Sequence, residues 1–422
     1  MTYKNNFKKA KFIIVGSGWR SLYYVRAAKA LPEFFELSAM LCRSKEKAEK
    51  MSEEHGIYTT VSIEECQCMN PDFVVVAVNK DSVFDVSVEW MRYGFTVLCE
   101  TPAALEISKL ETLWQMHLEG YRLAVAEQYA KYPQYKAMLD ILRSNIIGEP
   151  SCINISLAHD YHGASLMRAF LNIEADTPFF VTAKTYAFPT VETLNRYEKF
   201  NDGRVKDKER TIAAFEFADG KAAWYDFDSE QYRSPIRSSY VRVQGEKGEL
   251  KDNVIRFLDE NYELGEARLQ AVENIIMTGD PNPNLNKIKE IEKIILAYSG
   301  GDSRVVYEPY FGKCGLAQDE TAAALLMAEA AEYDRAVKHD EGILEEDAGQ
   351  IIYRQEAELR NALQDAYMAI LMRKAAKTGE KVCSDKRGWH REKDTLYKHK
   401  KVPHQCEWKQ TGYLVDLSMP GM

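Results

Sequence analysis

The chain has 422 residues, of which 45% are hydrophobic and 28% are charged, and its formal net charge is −9. This balance is typical of globular proteins and excludes the disordered and fibrous classes, while the length predicts more than one domain. The acidic balance argues against nucleic acid as a partner, because phosphate binding needs a concentrated basic surface. Small polar metabolites are the better match.

The sequence predicts a cytoplasmic protein. It contains no run of the roughly 18 to 20 apolar residues that span a bilayer. The first apolar run, residues 12–15, enters a glycine turn instead of a signal-peptide cleavage site. The eight cysteines include no C-x-x-C pair, so we expect reduced thiols.

Residues 11–125 alternate short apolar runs with amphipathic stretches, which is the order of a doubly wound parallel sheet. The predicted strands are 12–15, 35–41, 73–78, 95–99 and 122–126. The predicted helices are 21–30, 45–55, 83–93 and 107–119. Several of the strands are apolar on both faces, as buried parallel strands are.

The pattern changes after the turn signal Gly148-Glu149-Pro150. Gly/Asp turns now separate β-rich runs, which predicts a mostly antiparallel open sheet. The predicted strands are 151–157, 211–217, 222–228 and 240–244, and two long helices follow at 319–338 and 347–378. We therefore predict an α/β protein with a Rossmann domain at 1–130, a C-terminal α/β domain at 131–382 and a polar tail at 383–422.

The first strand leads into a G-x-G-x-x-S turn and then a helix. Its residues are Gly16, Ser17, Gly18, Trp19, Arg20 and Ser21. The first glycine permits the tight turn, the second lets backbone approach a pyrophosphate, and the helix N-terminus offers N–H groups to phosphates. Ser21 replaces the third glycine, and it is small enough for close helix packing. The motif predicts binding of NAD or NADP.

The end of the second strand leaves the choice between NAD and NADP open. Arg43 and Ser44 stand where an NAD site commonly places a carboxylate, and they could hold a 2′-phosphate. Alternatively, Ser44 caps the following helix and Arg43 stacks on adenine.

Three further segments resemble the glucose-fructose oxidoreductase/inositol dehydrogenase (Gfo/Idh/MocA) superfamily. Residues 93–104, with Glu100-Thr101-Pro102, resemble its Glu-Lys-Pro segment; residues 127–150 resemble its next strand and interdomain link; residues 366–382 resemble its closing helix. The resemblance implies a Rossmann domain, a second domain whose open sheet mediates homo-oligomers, and a sugar-like substrate. It also implies that Asn79, Glu100, Thr101 and Gln128 lie at the cofactor.

Two departures from the family pattern bear on the chemistry. Thr101 stands where the family carries a lysine, and threonine supplies no charge. The usual Thr-Pro after the third strand is also missing, because Asn79-Lys80-Asp81 follows Val78. Lys131 could partly replace the missing ammonium.

The densest group of acid-base side chains is His159-Asp160-Tyr161-His162. We place it at a strand end before a helix at 164–171, with His159 and Tyr161 on one face and Asp160 and His162 on the other. These four are the predicted catalytic residues, with a histidine as general acid/base and Asp160 orienting it. The alternative is that they are helix-cap and turn groups.

Further side chains are candidates for substrate contact. They are Tyr129, Lys131, Tyr132 and Arg168. Ligands bind at the carboxyl ends of strands in open α/β sheets, which favours the first three, whereas Arg168 is also plausible as an ordinary ion-pair residue. His390, His399, His404 and Cys406 match no closed zinc pattern, so we predict no metal.

The first functional hypothesis is an NAD(P)-dependent oxidoreductase that acts on a secondary alcohol or ketone of a carbohydrate or polyol. The alternative, which takes the missing lysine into account, is an NAD-dependent glycosidase or lyase that uses transient oxidation, elimination and re-reduction. NAD-dependent glycosidases of the superfamily are similar here, with a His-Asp pair matching His159-Asp160. A third reading is a non-catalytic nucleotide-binding protein.

Overall fold

The computed structural model describes residues 7–195, 198–277, 287–312, 314–340 and 343–391. The three tail candidates His399, His404 and Cys406 lie outside them. No helix in the described part is long and apolar enough to cross a membrane, and the cytoplasmic location stays a prediction.

The first 125 residues form a six-stranded parallel sheet in the order β3-β2-β1-β4-β5-β6. Its strands are β1 (Ala10–Val15), β2 (Phe35–Leu41), β3 (Thr59–Thr60), β4 (Phe73–Val76), β5 (Thr96–Cys99) and β6 (Leu123–Val125). Its helices are α1 (Ser21–Ala30), α2 (Lys45–His55), α3 (Ile63–Cys68), α4 (Val83–Arg92) and α5 (Ile107–Leu118). The predicted doubly wound fold is confirmed. The short β3 and α3 were not predicted.

The central strands are buried on both faces because helices cover both sides of the sheet. Ile13 and Val15 of β1 pack into one core, together with Trp90 of α4 and Leu110 of α5. Ile14, one residue along, packs into the other core with α1. This two-sided burial explains why the strands are continuous apolar runs.

Helix α6 (Pro133–Arg143) links this sheet to a second one of eleven strands, ordered β16-β15-β14-β13-β12-β11-β7-β10-β9-β8-β17. Only β7 and β10 pair in parallel among its described ladders, and the other pairs are antiparallel. The strands are β7 (Pro150–Ser156), β8 (Phe179–Val191), β9 (Val205–Phe217), β10 (Ala222–Asp228), β11 (Tyr240–Gly245), β12 (Gly248–Lys251), β13 (Val254–Leu258), β14 (Leu264–Met277), β15 (Lys287–Tyr298), β16 (Ser303–Tyr307) and β17 (Val382–Cys383). The mostly antiparallel sheet is confirmed.

Three helices complete the structure: α7 (Asp160–Leu171), α8 (Gln318–Lys338) and α9 (Glu345–Thr378). Helices α7 and α9 pack against the inner face of the large sheet. Helix α8 instead returns to the first sheet, where Ala323, Met327 and Ala331 share a core with α1 and β1. The second part of the chain therefore completes the core of the first.

The predicted polar tail is partly structured. Strand β17 pairs with β8, and Trp389 is fully buried, with its indole Nε1 donating a hydrogen bond of 2.9 Å to Gln364 on α9. His390 is also buried and contacts Gln364. Residues 382–391 thus pack against α9 instead of extending into solvent.

Candidate active site

The turn between β1 and α1 has the shape that a dinucleotide requires. Gly16 has φ +110°, and a Cβ there would lie 2.4 Å from the Ala77 carbonyl oxygen, so only glycine fits. A Cβ on Gly18 would meet no other atom within 4 Å, which leaves its backbone approachable. Ser21 is fully buried and donates a hydrogen bond of 2.5 Å to the Gly18 carbonyl, so serine fills the place of the third glycine.

Arg20, the N-cap of α1, joins this turn to the end of β5. Its Nε donates to Glu100 Oε1 at 2.8 Å and its Nη1 to Asp319 at 3.3 Å. Tyr24 donates to the same Glu100 oxygen at 2.5 Å. Arg20 therefore fixes Glu100 beside the cofactor turn, while Trp19 remains 43% exposed at the turn itself.

The remaining cofactor candidates lie around this edge of the sheet. Ser44 accepts the Lys47 N–H and caps α2, as the alternative interpretation expects, and Arg43 is exposed beside it. Asn79 accepts the N–H groups of Asp81 and Ser82 and shapes the loop after β4. Gln128 is buried, and its Oε1 has no hydrogen-bond partner within the described chain.

These observations fit a nicotinamide dinucleotide. The glycine cradle and the helix N-terminus suit its pyrophosphate, and the buried, unpaired Gln128 oxygen suits a polar ligand group. The fold and this turn define a dinucleotide-binding Rossmann protein.

The segment 159–162 starts a helix instead of ending a strand. Helix α7 begins at Asp160, four residues earlier than predicted, and His159 is its extended N-cap. The N–H groups of His159 and Asp160 donate to the hydroxyls of Tyr232 and Tyr225 at 3.0 and 2.9 Å, so tyrosines of the neighbouring elements hold the helix start. The predicted strand-like alternation of side chains is therefore wrong.

The imidazoles and a phenol nevertheless meet. The rings of Tyr161 and His159 lie 4.4 and 4.9 Å from that of His162. His159 Nε2 hydrogen-bonds Tyr161 Oη at 3.0 Å, and its Nδ1 bonds the Tyr232 hydroxyl. Tyr161 also donates to the Thr101 carbonyl at 3.4 Å, which places this cluster at the end of β5.

Asp160 does not orient either histidine, which corrects the predicted pairing. Its carboxylate bonds Arg373 of α9 at 2.7 Å, and its backbone has φ +38°. Because the side chain turns toward α9, the orienting partner of His159 is Tyr232.

His162 has a carboxylate partner that the sequence prediction did not include. Its Nδ1 lies 2.7 Å from Glu127 Oε2, at the end of β6, while no described group bonds its Nε2. Burial raises the pKa of Glu127 to about 8 and lowers that of His162 to about 3. Burial, followed by the charge of His162, also lowers the pKa of His159 to about 3. Burial therefore favours the uncharged forms of Glu127, His159 and His162.

The four substrate candidates divide into two groups. The Tyr129 ring lies 4.4 Å from that of His162, and Tyr132 donates to Asp319 at 2.5 Å beside Arg20. Lys131 pairs instead with Glu329 at 2.7 Å, and Arg168 is buried against Asp365 at 2.7 Å. Lys131 and Arg168 are thus occupied in ion pairs behind the cluster.

The site residues that the sequence analysis did not predict differ in whether the sequence carries a signal for them. Glu127 carried a signal, because a carboxylate directly after a buried parallel strand lies at the ligand-binding edge of the sheet. Tyr232, Arg373 and Asp319 carried none, since each reaches the site from a distant element.

Comparison with known proteins agrees with the fold and the cofactor turn. Residues 10–127 match the sequence profile described as "oxidoreductase family, NAD-binding Rossmann fold" of the Gfo/Idh/MocA group. The N-terminal domain thus matches the NAD-binding domain of the Gfo/Idh/MocA oxidoreductase family, and the cofactor is NAD or NADP. No curated protein sequence matches the chain significantly.

Solved structures share the fold over most of the chain. An oxidoreductase from Agrobacterium radiobacter, solved with NAD+, L-tartaric acid and magnesium, is 14% identical, with a TM-score of 0.56 over 89% of this chain and 98% of that chain. Myo-inositol 2-dehydrogenase from Lactobacillus plantarum is 12% identical, with a TM-score of 0.55 over 89% and 99%. A putative myo-inositol dehydrogenase from Sinorhizobium meliloti 1021 is 15% identical, with a TM-score of 0.54 over 89% and 99%.

Proposed function

We propose that this protein is an NAD(P)-dependent oxidoreductase that acts on a secondary alcohol or ketone of a carbohydrate or polyol. The observation that carries the proposal is the continuity between the cofactor turn and the acid-base cluster. Arg20 of the turn holds Glu100, and the next residue, Thr101, accepts a hydrogen bond from Tyr161. A myo-inositol 2-dehydrogenase and a putative myo-inositol dehydrogenase among the structures of the same fold support a polyol as substrate.

The residues divide the work as follows. Gly16, Gly18 and the N-terminus of α1 hold the dinucleotide, which when bound supplies hydride transfer. His162 Nε2, free of described partners, takes or gives the hydroxyl proton. His159 and Tyr161 hydrogen-bond each other and exchange this bond for hydrogen bonds to the substrate oxygen. Tyr232 fixes the His159 ring during this exchange.

The first test has no need of a known substrate. Freshly purified protein is denatured, and the released dinucleotide is quantified and its phosphorylation identified by mass spectrometry. The protein is then titrated with NAD and NADP. Absence of any binding by either route contradicts the proposal.

The second test screens a panel of polyols and sugars with both cofactors and measures turnover by the absorbance of reduced nicotinamide. His162→Gln should lower kcat by about 100-fold, the usual contribution of a general acid-base group. His55→Gln, on α2, is the matched control and should keep full activity. Full activity in His162→Gln would contradict its assigned role.

A glycosidase is the competing function, and the site lacks the expected pairing of His159 with Asp160. That chemistry is expected from the missing lysine at Thr101 and from a His159-Asp160 pair, and Asp160 is bound to Arg373 instead. Cleavage of aryl glycosides without net cofactor turnover would overturn the dehydrogenase proposal.

We also propose a homo-oligomer formed through the outer face of the large sheet. This face carries large apolar side chains on strands β8, β9, β10 and β11, namely Phe180, Tyr186, Phe188, Ile212, Trp224 and Tyr240, each at least 37% exposed. Exposed aromatic side chains grouped on one face and interspersed with charged residues, here Lys208 and Arg210, are typical of protein interfaces. A second copy offers the same flat face, so the two would cover each other.

A further inference from the structure

A polar cavity of 330 Å³ lies behind the acid-base cluster, between β6, α6, α7 and α9. Buried or partly buried charged groups line its inner part, among them Glu127, Lys131, Arg168 and Asp365. Arg143, Asn172 and Glu174 line its outer part and are exposed. The cavity is large and polar enough to hold water, and it leads from Glu127 to the surface.

Glu127 separates this cavity from His162. Its Oε2 is 2.7 Å from His162 Nδ1, and its Oε1 accepts the Tyr129 N–H at 3.0 Å. Its side chain is only 14% exposed, and it is part of the cavity wall. The same carboxyl group therefore contacts both the imidazole and the cavity.

A buried pair of this kind has a charge problem during proton transfer. When His162 gains a proton, a neutral Glu127 leaves a buried, uncompensated cation, which costs several kcal/mol. When His162 is neutral, a permanently ionised Glu127 is a buried anion whose burial the charges of Arg20 and Lys131 only partly offset. The pair avoids both states only if Glu127 loses its proton as His162 gains one.

We propose that Glu127 is a switching counter-ion for His162, which exchanges its own proton with water through the rear cavity. The inference rests on the proposed function, because it assigns His162 the substrate proton. The His162 proton lies on Nδ1, which donates to Glu127 Oε2, so that Nε2 is the acceptor nitrogen. The substrate hydroxyl gives its proton to His162 Nε2, and Glu127 gives the proton of its other carboxyl oxygen to a water of the cavity. After product release His162 returns its proton to solvent, and Glu127 takes one back, so that one substrate proton reaches bulk water per turnover.

The groups around Glu127 come from several elements. Those of its own connection and of the packed elements are Arg20 of α1, Lys131, Tyr161 and His162 of α7, Tyr232, and Asp365 of α9. Arg20 and Lys131 favour the carboxylate, whereas burial opposes it more strongly and raises the pKa of Glu127. Burial therefore favours the protonated carboxyl of Glu127, while the two nearby cations favour its ionised form.

The test follows the carboxyl group by infrared spectroscopy and needs neither substrate nor cofactor. The protein should show a protonated-carboxyl band at pH 7 that is missing in Glu127→Gln and that disappears as the pH rises. Asp365→Asn, which removes a second buried carboxyl from the same cavity, should leave this band in place. A spectrum of Glu127→Gln equal to that of the wild type would overturn the proposal, because Glu127 would then be ionised at rest.

A variant that fills the cavity tests whether the Glu127 proton exchanges with bulk water through it. Ala362→Leu places a larger side chain on its wall, and exchange of the Glu127 proton after rapid mixing with D2O should slow at least tenfold while the band persists. Ala357→Leu, on the same helix but lining a separate small pocket, is the matched control and should exchange as the wild type does. Unchanged exchange in a folded Ala362→Leu protein would exclude the cavity as the route. A failed substrate screen with the infrared result intact would count against the proposed function alone.

Discussion

Gly16 and Gly18 differ in the space around them, so alanine substitutions at the two positions test folding and cofactor binding separately. An added methyl group at Gly16 collides with the Ala77 carbonyl, whereas at Gly18 it meets nothing. Gly18→Ala should keep the melting temperature and weaken NAD or NADP at least tenfold, because the methyl group stands where the pyrophosphate approaches backbone. Binding by calorimetry and thermal unfolding check both parts.

Gly16→Ala is the companion variant. It should lose stability as well as cofactor affinity, since its φ of +110° disfavours any side chain. Equal cofactor affinity in Gly18→Ala and the wild type would mean that the dinucleotide lies elsewhere.

The ionisation of Glu127 should also contribute to the pH dependence of the free energy of unfolding. Its pKa is about 8 in the folded chain, against 4.5 for an ordinary glutamate. Between these values the folded chain keeps a proton that the unfolded chain has released, so this group's contribution to stability falls as the pH rises. Glu127→Gln should therefore gain stability relative to the wild type between pH 5 and 8, by more than about 1.4 kcal/mol, the equivalent of one pKa unit.

Chemical denaturation of both proteins at pH 5 and pH 8 measures this difference. The comparison cancels titrations that the two proteins share. If the stability difference between Glu127→Gln and the wild type is the same at both pH values, the Glu127 carboxyl is ionised in both the folded and the unfolded chain.

At the scale of elements, close packing of α7 on β10 positions the acid-base cluster. A Cβ at Gly163 would lie 2.5 Å from the buried Tyr225 ring, whose hydroxyl holds the Asp160 N–H. Gly163→Ala should push α7 away from the sheet, cost about 1–3 kcal/mol in unfolding free energy and lower activity. Gly349→Ala, on α9 with no atom near the added methyl, should be neutral or stabilising by about 0.5–1 kcal/mol.

Urea titrations compare the two variants with the wild type. If Gly163→Ala were as stable as Gly349→Ala, the contact between α7 and Tyr225 would not determine the position of the helix.

The sequence predicted the elements of the first sheet well because their signals are local. Helices α1 and α2 and strand β2 have the predicted bounds, and Ser44 caps α2 as its position suggested. Local pattern misplaced the start of α7, because Tyr225 and Tyr232, which hold its first N–H groups, lie about 65–73 residues further along the chain.

The site partners were harder to predict for the same reason. Glu127 and His162 are 35 residues apart, and Asp160 and Arg373 are 213 apart. Composition and spacing predicted a group of acid-base side chains at residues 159–162, but periodicity holds no information on pairs that only the tertiary fold brings together.

At the scale of the whole molecule, the outer face of the large sheet determines assembly in our proposal. Trp224 lies on this face and is 46% exposed. Trp224→Glu should convert the oligomer to monomers, because a second copy would then bury a carboxylate without a partner. Size-exclusion chromatography with light scattering measures the mass.

Tyr58→Glu, at an equally exposed position of the first domain, is the control and should leave the mass unchanged. A wild-type protein that is monomeric over the whole concentration range would contradict the proposed interface.

The return of α8 to the first sheet has a consequence during synthesis. The dinucleotide domain is translated first, yet the apolar surface that Met327 and its neighbours cover stays open until residue 338 has left the ribosome. While the strands of the second sheet are being translated, the nascent domain therefore presents a hydrophobic surface to the cell, which is the kind of surface that chaperones bind. Closure of the first core follows the synthesis of α8, after most of the second domain.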